Sequence, residues 1–193
     1  GLSGGSGWTS TWNSSPTSIF QISNTQANTA ANSVTTINVG GSSWRLFGTG
    51  RTGSTSFKGK MYITSIGNNY NFYINSSAGN ELVLACDSAG NVQGYSSSGG
   101  YVTFTSWTGL TGQWIDFIIS YDSTTGKVTY SFNGVKSTPA TVSLGGTGLR
   151  EVDCFHFNAV AYFDTLEVHD TALLSASSNT ANPAFLAQYL AQQ

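Results

Sequence analysis

Glu151, Asp153 and His156 stand within one short run, "EVDCFHF". On a β-strand, residues two apart share a face, and their Cα atoms lie about 6.6–6.8 Å apart. Two carboxylates so placed can serve as the acid and base of glycoside hydrolysis. That span falls nearer the roughly 6.5–9.5 Å of inverting enzymes than the roughly 5–5.5 Å of retaining ones. The same pair can equally flank an exposed strand edge or bind a cation. The chain holds nine acids and two histidines, His156 and His169. With Cys86 or Cys154 the histidines lack the close paired spacing of zinc sites, so ordinary strand histidines are expected.

Aromatic residues offer a second chemistry. Sugar rings present apolar C–H faces, and Trp or Tyr supplies a flat apolar surface with a polar tip. Amides and hydroxyls nearby can hydrogen-bond the sugar hydroxyls. Trp107 lies in "FTSWTGLTG", a Gly/Thr-rich connection, where an exposed ring is expected. Tyr70 and Tyr73 lie in "NNYNFYIN" beside Asn71, and Tyr95 and Tyr101 bracket "SSSGG". Trp107, Tyr70, Tyr73, Tyr95, Tyr101 and Asn71 are the candidate ligand-binding residues. Trp114, which opens a strand, is expected in the core.

The composition narrows the partners. Charged residues make up 8% of the 193, against about 25% in an average domain, so Ser, Thr, Asn and Gly must carry solubility. The 13% of aromatics separates the chain from a disordered polar tract. Net charge is −2 and the seven Lys and Arg are scattered, which argues against nucleic acid. No apolar run is long enough to cross a bilayer, and no signal-peptide pattern is present, as in a mature secreted chain. A secreted or extracellular location is expected. Cys86 and Cys154 then have two readings: a bridge closing a loop of about 70 residues, contributing on the order of 4 kcal/mol, or two buried free thiols.

Short alternating runs separated by Gly, Asn and Ser must position these groups. Examples are "GKMYITSI", "YNFYIN", "LVLACD", "YVTFTSW" and "EVDCFHFNA". Many short strands without a long helical pattern predict an all-β chain, a two-sheet antiparallel β-sandwich or jelly roll. "QWIDFIISYD", "STTG" and "KVTYSFNG" read as a hairpin, with Gly126 in the turn, Val128, Tyr130 and Phe132 on its buried face, and Lys127, Thr129 and Ser131 on its wet face. In "NPAFLAQYLAQQ", Asn182 can cap and Pro183 can open a short C-terminal helix over 182–193. No domain boundary interrupts the pattern, so residues 1–193 are expected to form one domain.

"GLSGGSGWTSTW", "QWIDFIISYDSTTGKVTYSFNGV" and "VDCFHFNAVAYFDTLEVHD" together resemble the laminin-G-like, concanavalin A-like jelly rolls of secreted bacterial proteins. The last carries a Phe-Asp-x-Leu-x-Val pattern at Phe163, Asp164, Leu166 and Val168. The resemblance implies that Asp164 can help hold a structural Ca2+, with backbone amides as its alternative partners, and that Trp8, Trp12 and Trp44 are framework residues. It also brings in the laminarinase-type motif Glu-x-Asp-x-x-Glu, which Glu151 and Asp153 match and His156 breaks. Because His156 is a poor replacement for the acid/base, a non-catalytic polysaccharide-binding module tethered to a larger extracellular protein is the leading expectation. A hydrolase or lyase using Glu151 and Asp153 and an adhesive spacer without a sugar site are the alternatives.

Overall fold

Period-two runs of Val, Ile, Thr, Phe and Tyr bury one face of a strand, and two such sheets can close a core between them. A computed structural model describes residues 13–15, 20–23, 28, 33–36, 41–65, 69–76, 79–97, 99–144, 148–157 and 160–174. These residues form strands β1 (Asn13–Ser15), β2 (Phe20–Ser23), β3 (Ser33–Thr36), β4 (Gly41–Arg51), β5 (Thr55–Ile63), β6 (Asn69–Ser76), β7 (Gly79–Cys86), β8 (Asn91–Ser96), β9 (Gly100–Ser106), β10 (Trp114–Asp122), β11 (Lys127–Phe132), β12 (Val135–Lys136), β13 (Ala140–Thr141), β14 (Leu149–Phe157) and β15 (Ala161–His169). One seven-stranded sheet, here sheet A, runs β1-β4-β14-β6-β7-β8-β9. Sheet B runs β12-β11-β10-β5-β15-β3-β2, with β13 also on β11. The pairs are antiparallel, and the architecture is the expected sandwich of jelly-roll type. The helix expected over 182–193, together with Trp8 and Trp12, lies outside the described residues. Among those described, no helix is long and apolar enough to cross a membrane.

Alternate residues of both sheets meet in one core. Tyr70, Phe72 and Ile74 of β6 point inward, as do Leu82, Leu84 and Cys86 of β7; Phe57, Met61 and Ile63 of β5 and Ile115, Phe117 and Ile119 of β10 face them. Phe72 stacks on Phe117 across the gap, with ring centroids 4.0 Å apart, and meets Phe163 edge-on at 5.8 Å. The β10–β11 hairpin forms as expected, with Asp122 opposite Lys127 and Gly126 at φ 64° in its turn. Its outer face differs from expectation: Thr129 and Ser131 are buried. Ser131 sits between Ile118 and Lys136, whose longer side chains flank it. Trp114 is also not a core residue. It is half-buried on the outside of sheet B, where it meets Tyr62 edge-on at 5.7 Å, because Ile115 takes the inward parity.

Gly94 marks a close approach of the two sheets. A Cβ there would lie 2.3 Å from the Tyr130 ring. That ring is fully packed, and its hydroxyl donates a hydrogen bond to the Tyr95 carbonyl, so it cannot swing away. Gly94→Ala is therefore expected to cost about 1–3 kcal/mol through overpacking, read as a lowered melting temperature. An unchanged melt would show that the Tyr130 ring yields.

The two thiols are not joined. Cys86 and Cys154 are free and buried. They lie on β7 and β14, with β6 between them. Two strand spacings come to about 9.6 Å, beyond the ~7 Å that a disulfide can span between Cα atoms. Burial pushes both thiols well above their usual range, so they act as small core side chains.

Candidate functional site

The sheet ladder assembles a row of large residues on the outer face of sheet A. Asp153 pairs with Trp44 on one side and Tyr73 on the other. Tyr73 pairs with Val83, Val83 with Tyr95, and Tyr95 with Tyr101. One register line thus carries Trp44, Asp153, Tyr73, Val83, Tyr95 and Tyr101 across six strands, roughly 24 Å at about 4.8 Å per strand. Parity directs them outward, because their strand neighbours Phe72, Ile74, Leu82, Leu84 and Val152 fill the core. Val83 is only 2% exposed although it lies outside the core cluster; the tyrosines on either side of it form the ridge.

Polar rows flank the ridge. On one side stand Asn71, Ala85, Gln93 and Thr103 in register. Asn71 Nδ2 donates to the Tyr73 hydroxyl at 3.1 Å, and Gln93 Nε2 donates to Thr103 Oγ1 at 3.3 Å. On the other side Glu151 pairs with Asn75, whose Nδ2 donates to Glu151 Oε1 at 3.2 Å. Tyr95 and Tyr101 touch with centroids 5.1 Å apart and planes tilted by 49°, and Tyr101 is 52% exposed. Burial raises the Tyr73 hydroxyl pKa, opposed by the Asn71 hydrogen bond and reinforced by Tyr101 and Asp153. Burial and then Tyr95 raise that of Tyr101. Both phenols stay neutral at physiological pH and can donate to a hydroxylated ligand.

Glu151, Asp153, Tyr73, Tyr95, Tyr101 and Asn71 therefore share one face. Two candidates do not join them. Tyr70 is fully buried on the inward face of β6, where burial and then Cys86 push its hydroxyl up to about 12. Trp107 is also fully buried. Its Nε1 donates to the Asp87 carbonyl at 3.0 Å, and its ring meets Tyr70 edge-on at 5.5 Å. The connection from β9 to β10 crosses between the sheets, and Trp107 plugs that end of the sandwich; a Gly-rich sequence around it gave no sign of this. Trp44, Gln93 and Thr103 are site neighbours that the sequence reading missed. Only cross-strand register brings them in.

The acids sit at the expected i, i+2 spacing, but their surroundings differ from those of a three-acid motif. The β14 ladder shifts register only between Leu149 and Glu151 and is regular from there to Phe157. Position 156 therefore falls on the opposite parity to 151 and 153. A third group at that position would need a bulge that the strand lacks.

Asp164 lies elsewhere, on β15 in sheet B. Its Oδ1 accepts the Thr165 N–H at 2.7 Å and its Oδ2 accepts the Asn28 N–H at 3.0 Å. Thr165 has φ 51° where the β15 ladder shifts between Asp164 and Glu167, so the carboxylate holds an irregular turn of the strand. Among the described residues, no group of three or more His, Cys, Asp or Glu is placed to hold a metal ion. A calcium completed by backbone carbonyls would have to share this carboxylate with those amides. A rise in melting temperature on adding calcium, abolished by Asp164→Asn, is the result that reading requires; the same melt with and without calcium would remove it.

No protein-family model matches the sequence, and no curated protein matches it. Among solved structures the chain is similar to a Trypanosoma rangeli sialidase, with 12% identity and a TM-score of 0.60 over 81% of this chain and 28% of that one. It is similar to the carbohydrate recognition domain of Emp46p in its metal-free form, with 9% identity and a TM-score of 0.56 over 84% of this chain and 89% of that one. It is also similar to the alginate lyase AlgAT5 of polysaccharide lyase family 7, with 11% identity and a TM-score of 0.54 over 79% and 81%. The chain spans 17% of another sialidase and 47% of the botulinum neurotoxin serotype D binding domain. At these identities the likeness establishes the sandwich fold.

Proposed function

We propose that the outer face of sheet A binds a polysaccharide without cutting it. The observation that carries this reading is the single register line of Trp44, Tyr73, Tyr95 and Tyr101, edged by Asn71, Gln93 and Thr103. Rings stack on the C–H faces of sugars, and the amides and phenols take up their hydroxyls. The carboxylates of Glu151 and Asp153 act here as hydrogen-bond acceptors. No Lys or Arg stands in the ridge or its two flanking rows, so a neutral glycan is favoured over one carrying carboxylates or sulfates.

The names of similar structures include a carbohydrate recognition domain, sialidases and a polysaccharide lyase, which supports a carbohydrate ligand and leaves the catalytic alternative open. That alternative has one observation in its favour: Glu151 and Asp153 share the face with the tyrosines. Against it stands the parity of position 156. A secreted or surface location, in a larger protein that uses this domain as a sugar anchor, fits the low charge and belongs to the same proposal.

The test is affinity electrophoresis through gels containing neutral and acidic polysaccharides, paired with an assay for newly formed chain ends. Retardation by a neutral polymer with no new ends is expected. New ends that vanish in Glu151→Gln or Asp153→Asn would establish the enzyme, and no retardation across the panel would favour a spacer.

A further inference from the structure

We propose that the chain pairs with a second copy of itself along the free edge of β9. Two sheets leave four edges, and the edge strands differ sharply. β1 has three residues, β2 four and β12 two, whereas β9 has seven. Very short edge strands are a common protection against edge-to-edge association. β9 lacks that protection, and "GYVTFTS" contains no charge and no proline; its ladder to β8 is interrupted once, where Phe104 is the extra residue between the Val92–Thr105 and Gln93–Thr103 pairs. Its Tyr, Val, Thr and Phe residues favour extended pairing.

Among the described residues, the backbone of 101–105 is laddered to β8 alone. Val102 is 57% exposed, and Val135 of β12, which runs beside β9 at the same margin, is 45% exposed. They are two of the four exposed large hydrophobic residues among those described.

The edge fits itself. An antiparallel strand turned by a two-fold axis presents N–H to C=O and C=O to N–H, so one surface serves both partners. β9 itself carries no ionised side chain, so no like charges on the two strands face each other; the exposed Lys136 of β12 stands at the same margin. The strip is about 24 Å long and one sheet thick, roughly 240 Å², well short of the ~800 Å² per partner of a standard stable interface. The pair is therefore weak and concentration-dependent. Joining β9 to β9 makes one continuous sheet of twice the width. It also brings the Tyr101 ends of the two aromatic rows together, so a long polysaccharide would meet two sites at once. That consequence rests on the glycan reading; the pairing does not.

Sedimentation of the chain alone, over a dilution series from roughly 1 mM to 1 µM, tests the pairing without any glycan. The mass is expected to rise from 20.3 kDa towards twice that value at the concentrated end. Val102→Lys, which places a charge on the edge, is expected to weaken the dimer about tenfold or more while leaving the melting temperature unchanged. Amide exchange at residues 101–105 is expected to slow as concentration rises. A mass that stays at 20.3 kDa throughout, a Val102→Lys dimer as tight as the parent, or protection that appears elsewhere and not on β9, would each overturn the proposal.

Discussion

A Trp107→Ala variant is expected to lose about 3–5 kcal/mol of folding stability, up to half or more of what many domains possess in total. The indole is fully buried at the end of the sandwich, against Tyr70. Removing it leaves a cavity and strips the Asp87 carbonyl of the Nε1 hydrogen bond. The loss spreads into the adjoining turn. There the Trp107 N–H donates to the Gly90 carbonyl, while Asp87 accepts hydrogen bonds from Ala89 and Asn91. Trp107→Phe keeps much of the volume and loses the hydrogen bond, so it should fall between parent and alanine variant in a denaturant melt. If Trp107→Ala melted like the parent but lost retention on polysaccharide gels, the ring would belong to a sugar contact instead.

Replacing Tyr95 and Tyr101 together by alanine is expected to abolish detectable glycan binding. Covering about 80 Å² of ring with a sugar face contributes roughly 2 kcal/mol at 25 cal/mol per Å², so each single replacement should weaken binding by about 10–30-fold. The two rings touch at 5.1 Å, so their effects are expected to be non-additive. Tyr101 is 52% exposed and makes few core contacts, so Tyr101→Ala should leave the melting temperature nearly unchanged. Titration calorimetry with a polymer that retards the parent, alongside a thermal melt, reads both effects. Full binding by the double variant would remove the aromatic ridge from the site.

The contrast between these variants shows how far strand patterning carries. Period-two alternation identified the strands that matter, and it placed Tyr73, Glu151 and Asp153 on strands whose opposite faces fill the core. It could not say which strands are neighbours. Trp44 joins Tyr73 because β14 lies between β4 and β6, and Tyr95 joins Tyr73 because β7 lies between β6 and β8. Local composition misled at Trp107 and Trp114. A Gly/Thr-rich connection resembles an exposed loop until its path between the sheets is known. An aromatic at the head of a strand looks like core until the parity of Ile115 shows otherwise. Tyr70 and Tyr73 sit in the same polar run, yet parity sends one into the core and leaves the other on the surface.

By itself the sequence determined an all-β sandwich with few charges and many amides, because alternation and turn residues act over a few positions along the chain. The tertiary structure alone decided which aromatics form a row, that Cys86 and Cys154 stay apart, and that β9, among the described residues, ladders to β8 alone. Those outcomes depend on strand order and register between segments far apart in sequence, and no local spacing encodes them.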